Sequence, residues 1–118
     1  MAKRAYAPTS APIKTARGAE YEVIARITSR LKRAIDTGKT ADMAAALLEN
    51  RELWSTLAVD VADPKNLLEP ELRARILYLA KFTLQYSSKV LVDKASAVPL
   101  LEINTAILRG LKKSEPTK

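Results

Sequence analysis

The chain has 118 residues, with 20 lysines and arginines against 13 aspartates and glutamates, which gives a formal net charge of +7. This length fits one domain, because domains usually contain about 100–150 residues. The chain contains no cysteine and no histidine, which excludes disulfides, Cys/His zinc sites, thiol nucleophiles and histidine-based triads. Its apolar share of 47% and charged share of 28% are typical of a soluble globular protein.

Two further classes of site are missing from the sequence. The three glycines, Gly18, Gly38 and Gly110, are too far apart to form a phosphate-binding loop. No apolar run approaches the roughly 18–20 residues of a membrane span, and the basic start has no apolar signal-peptide region. We therefore expect a cytoplasmic protein that has no membrane span and binds no cofactor or metal.

The excess positive charge lies at the two ends of the chain. Residues 1–18 carry four basic and no acidic side chains, and residues 109–118 carry four basic and one acidic. Residues 19–108 hold twelve of each sign and are neutral. A folded nucleic-acid reader usually carries a basic stripe on an element of its fold, so this distribution makes a nucleic-acid partner an unfavoured alternative.

One basic cluster does fall inside the predicted fold, late in its first helix, at Arg26, Arg30, Lys32 and Arg33. Glu20 and Glu22 lie near the start of the same helix, and the helix dipole favours acids at the start and cations at the end. We interpret the cluster as a solvated face and not as a phosphate-binding stripe.

The first predicted element follows a segment rich in Ala, Pro, Ser and Thr. Residues 1–18 are interpreted as a mobile basic arm. From residue 19 the pattern becomes helical, with apolar residues at spacings of three, four and three, at Ile24, Ile27, Leu31 and Ala34. Gly38 is a plausible C-terminal cap of this helix.

Each of the next two predicted helices has a seam, which is a series of mostly apolar positions at alternating spacings of four and three residues. In the second, which opens at Thr40 or Asp42 and must end at Pro64, these are Met43, Leu47, Asn50, Trp54, Leu57 and Val61. In the third, which starts at Pro70, they are Leu72, Ile76, Leu79, Thr83, Tyr86 and Val90. Residues 87–93 could form a strand, but no partner strand is available, so we interpret them as the end of the third helix. Residues 63–66 form a turn.

A fourth helix is predicted from Pro99. It has two apolar faces, one with Leu101, Asn104, Leu108 and Leu111 and the other with Leu100, Ile103 and Ile107. The predicted fold is all-α, a small antiparallel bundle of about four helices with a flexible basic N-terminal arm. Its parts are the arm at 1–18, a single helical domain at 19–111 and a polar tail at 112–118.

Three residues on the apolar seams admit two interpretations. Trp54, the only tryptophan, is expected in the core, although a partner-facing anchor is the alternative because tryptophan is enriched at interface hot spots. Asn50 and Asn104 need hydrogen-bond partners if they are buried. A cap or local turn at Asn50 would divide the second helix into two shorter pieces.

Catalysis has little support in the sequence. Glu49 and Glu52 share a helix face near Trp54, but no neighbouring side chain would orient them as a general acid and base. We interpret them as solvated charges, and we do not expect an enzyme.

An ordered series of four short motifs runs along most of the chain. These are NRxLW at 50–54, DxxxPxN at 60–66, LRAxxxxLA at 72–80 and INxxIxxGL at 103–111, and they are preceded by Ala5–Tyr6, Arg17 and Glu20. Together these residues resemble the FlaF family of bacterial flagellar biosynthesis regulators. The resemblance implies an all-helical cytoplasmic protein needed for flagellin to be made and exported, acting with a companion regulator called FlbT.

The resemblance also implies partners and residues that bind them. Family members are thought to bind flagellin, as a secretion chaperone or checkpoint. We predict the partner-binding residues among the matched positions: Tyr6, Arg17, Asn50, Arg51, Trp54, Asn104, Ile107 and Leu111. The two apolar faces of the last helix suggest a groove that accepts a flagellin helix. The alternative function is binding of flagellin messenger RNA through the charged ends.

Overall fold

A computed structural model of the protein describes the backbone of residues 12–114 and the side chains of residues 21–111. It contains four helices: α1 Pro12–Thr37, α2 Thr40–Ala62, α3 Pro70–Asp93 and α4 Val98–Ser114. Residues 12–114 contain no strand. The prediction of an all-α bundle of about four helices is confirmed, and residues 87–93 do continue the third helix.

The helices are arranged as the corners of a square. Packing joins α1 to α2, α2 to α3, α3 to α4 and α4 to α1, whereas the diagonal pairs do not pack backbone to backbone. The connections at 38–39, 63–69 and 94–97 are short, so consecutive helices run antiparallel. The contact between α2 and α3 is the most extensive and that between α3 and α4 the least.

The helix ends follow from local backbone chemistry. Gly38 adopts a φ of 70°, and its N–H donates to the carbonyl of Ala34 over 3.0 Å, which confirms it as the residue that ends α1. Lys94 has a φ of 59° just after α3, where the Ala95 N–H donates to the Lys89 carbonyl over 3.2 Å. Pro70 lies in the first turn of α3, where its missing N–H costs nothing.

The turn between α2 and α3 is held by side chains. Asn66 Nδ2 donates to the Asp60 carbonyl over 3.1 Å, and Asn66 Oδ1 accepts from the Leu68 N–H over 2.9 Å. The guanidinium of Arg73 donates to the carbonyls of Val61 and Asp63 over 3.0–3.1 Å. Arg73 therefore satisfies carbonyls at the C-terminus of α2 that have no partner within the helix, and it ties the start of α3 to that end.

The helix bounds of the structure differ from the predicted ones at two places, and one open alternative is not observed. Helix α1 begins at Pro12, seven residues before the predicted 19, because proline is compatible with a first turn and helix propensity needs no apolar repeat. The predicted arm overlaps α1 at 12–18, and its remaining residues lie outside the described part. Asn50 does not divide α2, which is continuous. Helix α4 extends to Ser114, into the predicted tail.

The core runs the length of the bundle as two clusters. Trp54 lies in the larger one, and most of the predicted seam residues are buried in one or the other: Ile24, Ile27, Leu31, Ala34, Leu47, Leu57, Val61, Leu72, Ile76, Val90 and Leu100. Leu79 and Tyr86, predicted on the same seam of α3, are only partly buried. Within the described residues, no helix is both long and apolar enough to cross a membrane.

Candidate functional site

Trp54 lies in the middle of the bundle with none of its surface exposed. Its indole N–H donates to the side-chain carbonyl oxygen of Asn104 on α4 over 2.9 Å. A buried indole N–H needs such a partner, because leaving it unpaired costs about 1–3 kcal/mol. The structure therefore places Trp54 in the core, as the first of its two interpretations expects.

Asn104 connects three helices through its amide. Asn104 Nδ2 donates to Asn50 Oδ1 on α2 over 2.8 Å and to Thr28 Oγ1 on α1 over 3.1 Å. The hydroxyl of Thr28 in turn donates to the Ile24 carbonyl over 2.6 Å. We call Thr28, Asn50, Trp54 and Asn104 the Trp–Asn cluster. Both asparagines that the apolar seams carry are members of this one network.

The third helix does not join the Trp–Asn cluster by a hydrogen bond. Helix α3 instead contributes two fully buried polar residues, Thr83 and Ser87. The hydroxyl of Ser87 donates to the Thr83 carbonyl within the same helix over 2.7 Å. Among the described residues, neither Thr83 Oγ1 nor Asn50 Nδ2 has a hydrogen-bond partner. The hydrogen bonds of the Trp–Asn cluster therefore connect α1, α2 and α4, whereas α3 packs against the cluster through apolar contacts.

The Trp–Asn cluster is a structural network. It contains no side chain that ionises near neutral pH and is enclosed on all sides, so it can neither move a proton nor reach a substrate. The two carboxylates nearest to Trp54 in the sequence lie outside it. Glu49 forms an ion pair with Arg30 of α1, and Glu52 is exposed. No group of three or more potential metal ligands occurs in the described residues.

Most of the predicted partner-binding residues are placed in the interior. The fully or nearly fully buried ones are Asn50, Trp54, Asn104, Ile107 and Leu111. Arg51 is half-buried, whereas Tyr6 and the side chain of Arg17 lie outside the described residues. In the closed bundle, the five buried side chains cannot contact a partner, and their matched motifs shape the core. The helical spacing of these residues along the apolar seams already predicts that they are buried.

The predicted groove on the last helix is also not available. Leu100, Ile107 and Leu111 are buried, and Ile103 and Leu108 pack against the larger core cluster. Helix α4 has two apolar faces because it packs between α1 and α3. Truncation after Ser96 would remove the whole of α4 and with it part of the core, so it would not test such a groove.

The exposed apolar side chains are concentrated on α3. Of the nine large exposed hydrophobic residues in the described part of the chain, five lie on this helix: Leu77, Tyr78, Phe82, Leu91 and Val92. Single exposed apolar residues are normal on protein surfaces, whereas large contiguous apolar patches are typical of interaction sites. The seam of α3 predicts only which side of the helix is buried, so it does not predict the exposed apolar residues on the opposite side.

The basic cluster on α1 is partly neutralised within the fold. Arg30 pairs with Glu49, and Lys32 donates to Asp36 over 2.8 Å. Arg30, Arg33, Glu49 and Glu52 line a shallow open groove between α1 and α2 together with Leu48. Its lining carries both signs of charge, which is the arrangement of a solvated face and not of a phosphate-binding stripe.

Comparison with known proteins identifies a family. The family model described as flagellar protein FlaF matches residues 2–111, which is nearly the whole chain. No curated protein and no solved structure matches the chain. The buried residues Asn50, Trp54 and Asn104 all lie within the matched range.

Proposed function

This chain belongs to the FlaF family of flagellar proteins, and on that basis we propose that it binds flagellin in the cytoplasm as an export chaperone or checkpoint. In this role it couples the synthesis of flagellin to its secretion and catalyses no reaction. FlaF is not a known enzyme family. The companion regulator FlbT is a second proposed partner.

The observation that carries the proposal is the concentration of exposed apolar side chains on α3. A chaperone must cover apolar surface of its client, so it needs apolar surface of its own that is not consumed by its core. In this bundle the residues of α4 and of the inner side of α3 fill the core, and the outer side of α3 retains Tyr78 and Val92 in solvent.

The physical role follows from the client. Flagellin subunits have long amphipathic terminal helices that polymerise when they are free. A binder that occupies the apolar stripe of such a helix prevents polymerisation until export, and recognition of a helix by an apolar surface uses anchors at helical spacing. The rigid bundle fixes the spacing of its own anchors, which reduces the entropy lost on binding.

One observation favours a second candidate, the binding of flagellin messenger RNA. The chain carries its whole +7 excess in residues 1–18 and 109–118. Binding through these ends would neutralise phosphates and release counterions, so affinity would fall steeply with salt. The balanced charge of residues 19–108 counts against it.

Calorimetric titration distinguishes the two functions. The purified protein is titrated with monomeric flagellin and, separately, with flagellin messenger RNA, each at low and at high salt. We expect flagellin to bind with micromolar or better affinity that persists at high salt, because apolar burial is weakly screened. Binding of RNA alone, lost at high salt, would contradict the chaperone function and assign the activity to the charged ends.

A further inference from the structure

We infer that the outward side of α3 is the docking surface for an amphipathic helix whose apolar stripe is bordered by carboxylates. This inference rests on the proposed function in naming flagellin as the source of that helix. It goes further in specifying which surface binds, and what charge and spacing the bound segment must have.

Four of the five exposed apolar side chains of α3 form two pairs, and the fifth, Phe82, lies one turn after Tyr78. Leu77 and Tyr78 lie near the start of α3, and Leu91 and Val92 lie 14 residues further along. Fourteen residues make almost four helical turns, so both pairs point to the same side and are about 21 Å apart. Tyr78 and Val92 are the most exposed members, at 72% and 77%.

A helix is the occupant that best matches this spacing. Two apolar pairs separated by 14 residues correspond to two heptads, the repeat with which one helix packs along another. An amphipathic helix that lies along α3 can present apolar side chains to both pairs.

The charge on the same side selects the partner. Between Glu71 and Asp93, helix α3 carries no carboxylate; besides the half-buried Arg73, which caps α2, it carries the cations Arg75, Lys81 and Lys89. All three cations are exposed, and none pairs with a described carboxylate. A partner with carboxylates beside its apolar stripe would complement this charge, and complementary charge raises both the association rate and the specificity.

The same charges disfavour a second copy of this chain. Two α3 helices packed against each other would bring six cations from their central segments into one interface, where like charges repel. Helix α1, which takes part in both ion pairs of the described residues, does not pack against α3. Its carboxylates therefore do not neutralise the cations of α3.

The apolar part of the surface is tested with a double variant, Tyr78→Ser with Val92→Ser. Its matched control is Leu48→Ser with Leu67→Ser, which removes two side chains of similar exposure, 61% and 66%, from α2 and from the α2–α3 turn. The charge is tested with Lys81→Glu and Lys89→Glu together. The control with the same net charge is Arg26→Glu with Arg33→Glu, because both arginines are exposed on α1.

Three probes are titrated into the wild type and the four variants at low salt. They are monomeric flagellin and two designed helical peptides of 21 residues. Both peptides have leucine at the first and fourth positions of each heptad, and these are flanked by glutamate in one peptide and by lysine in the other. Circular dichroism of every variant establishes that it remains helical, and sedimentation of the wild type and of the Tyr78/Val92 variant, each without a probe, measures self-association.

We expect the wild type to bind flagellin and the glutamate peptide but not the lysine peptide. The Tyr78/Val92 variant should bind both at least about tenfold more weakly, as is typical when interface anchors are removed. The Lys81/Lys89 variant should prefer the lysine peptide. Both control variants should keep the wild-type affinities.

The outcomes separate this inference from the proposed function. If flagellin binds the wild type and all variants equally, docking on α3 is wrong while flagellin binding stands. If only the glutamate peptide binds, in the variant pattern given above, the α3 surface stands and flagellin is not its client. Equal affinity for both peptides, or a dimer that the Tyr78/Val92 variant abolishes, would overturn the inference.

Discussion

The indole N–H of Trp54 is hydrogen-bonded to the side-chain oxygen of Asn104, 50 positions further along the chain. Trp54 lies on α2 and Asn104 on α4, two helices on a diagonal of the bundle that do not pack backbone to backbone. Their side chains therefore meet across the centre, where Asn104 also binds α1 through Thr28. One amide thus fixes the relative positions of three helices.

Replacing Asn104 by alanine should lower the free energy of unfolding by about 2–4 kcal/mol, because it leaves several buried polar groups without a partner. The measurement is urea-induced unfolding followed by circular dichroism. Thr105→Ala is the control, since its hydroxyl donates only to the Leu101 carbonyl of its own helix. We expect that change to stay below about 0.5 kcal/mol. Equal losses in the two variants would show that the central network contributes nothing.

Trp54→Phe separates packing from partner binding. The variant keeps an aromatic ring but removes the donor to Asn104 Oδ1, so stability should fall by about 1–3 kcal/mol. The affinity for flagellin, measured below the unfolding transition, should not change, because Trp54 has no exposed surface. A large loss of affinity with little loss of stability would instead support Trp54 as a partner-facing anchor in an opened bundle.

Arg73→Lys tests the cap at the end of α2. Lysine has one compact ammonium group and cannot reproduce the three hydrogen bonds that the guanidinium donates to Val61 and Asp63. We expect a loss of about 1–2 kcal/mol in thermal or urea unfolding. Arg75→Lys, two positions along the same helix and exposed, should leave the unfolding transition within about 0.5 kcal/mol of the wild type. Equal effects of the two substitutions on stability would contradict the capping role of Arg73.

Thr83→Val should stabilise the protein. Thr83 is fully buried, and its hydroxyl has no hydrogen-bond partner among the described residues, so removing the polar atom while keeping a similar shape should gain about 1 kcal/mol. Thr105→Val is the matched control, because the hydroxyl that it removes is hydrogen-bonded. A lower midpoint of urea unfolding for Thr83→Val than for the wild type would indicate that this hydroxyl is satisfied in solution.

The sequence by itself determined the number of helices and which side of each faces inward. Apolar positions such as Ile24, Leu47 and Ile76 recur at three- and four-residue spacing. An amphipathic helix buries such a stripe whichever helix it packs against. Gly38 and Pro70 marked helix ends, since their backbone chemistry acts locally. Where the apolar repeat was absent, at residues 12–18, the sequence prediction missed the start of α1.

Only the tertiary structure decided what Asn50 and the outer side of α3 do. A cap at Asn50 and a buried amide both require a hydrogen-bond partner, and the actual partner, Asn104, is 54 positions away. Helical periodicity carries no information about contacts at that separation. Likewise, an apolar residue outside the seam, such as Tyr78 or Val92, becomes exposed or buried according to which helices surround it. Because α3 packs against α2 and α4 but not against α1, its outer side remains open to a partner.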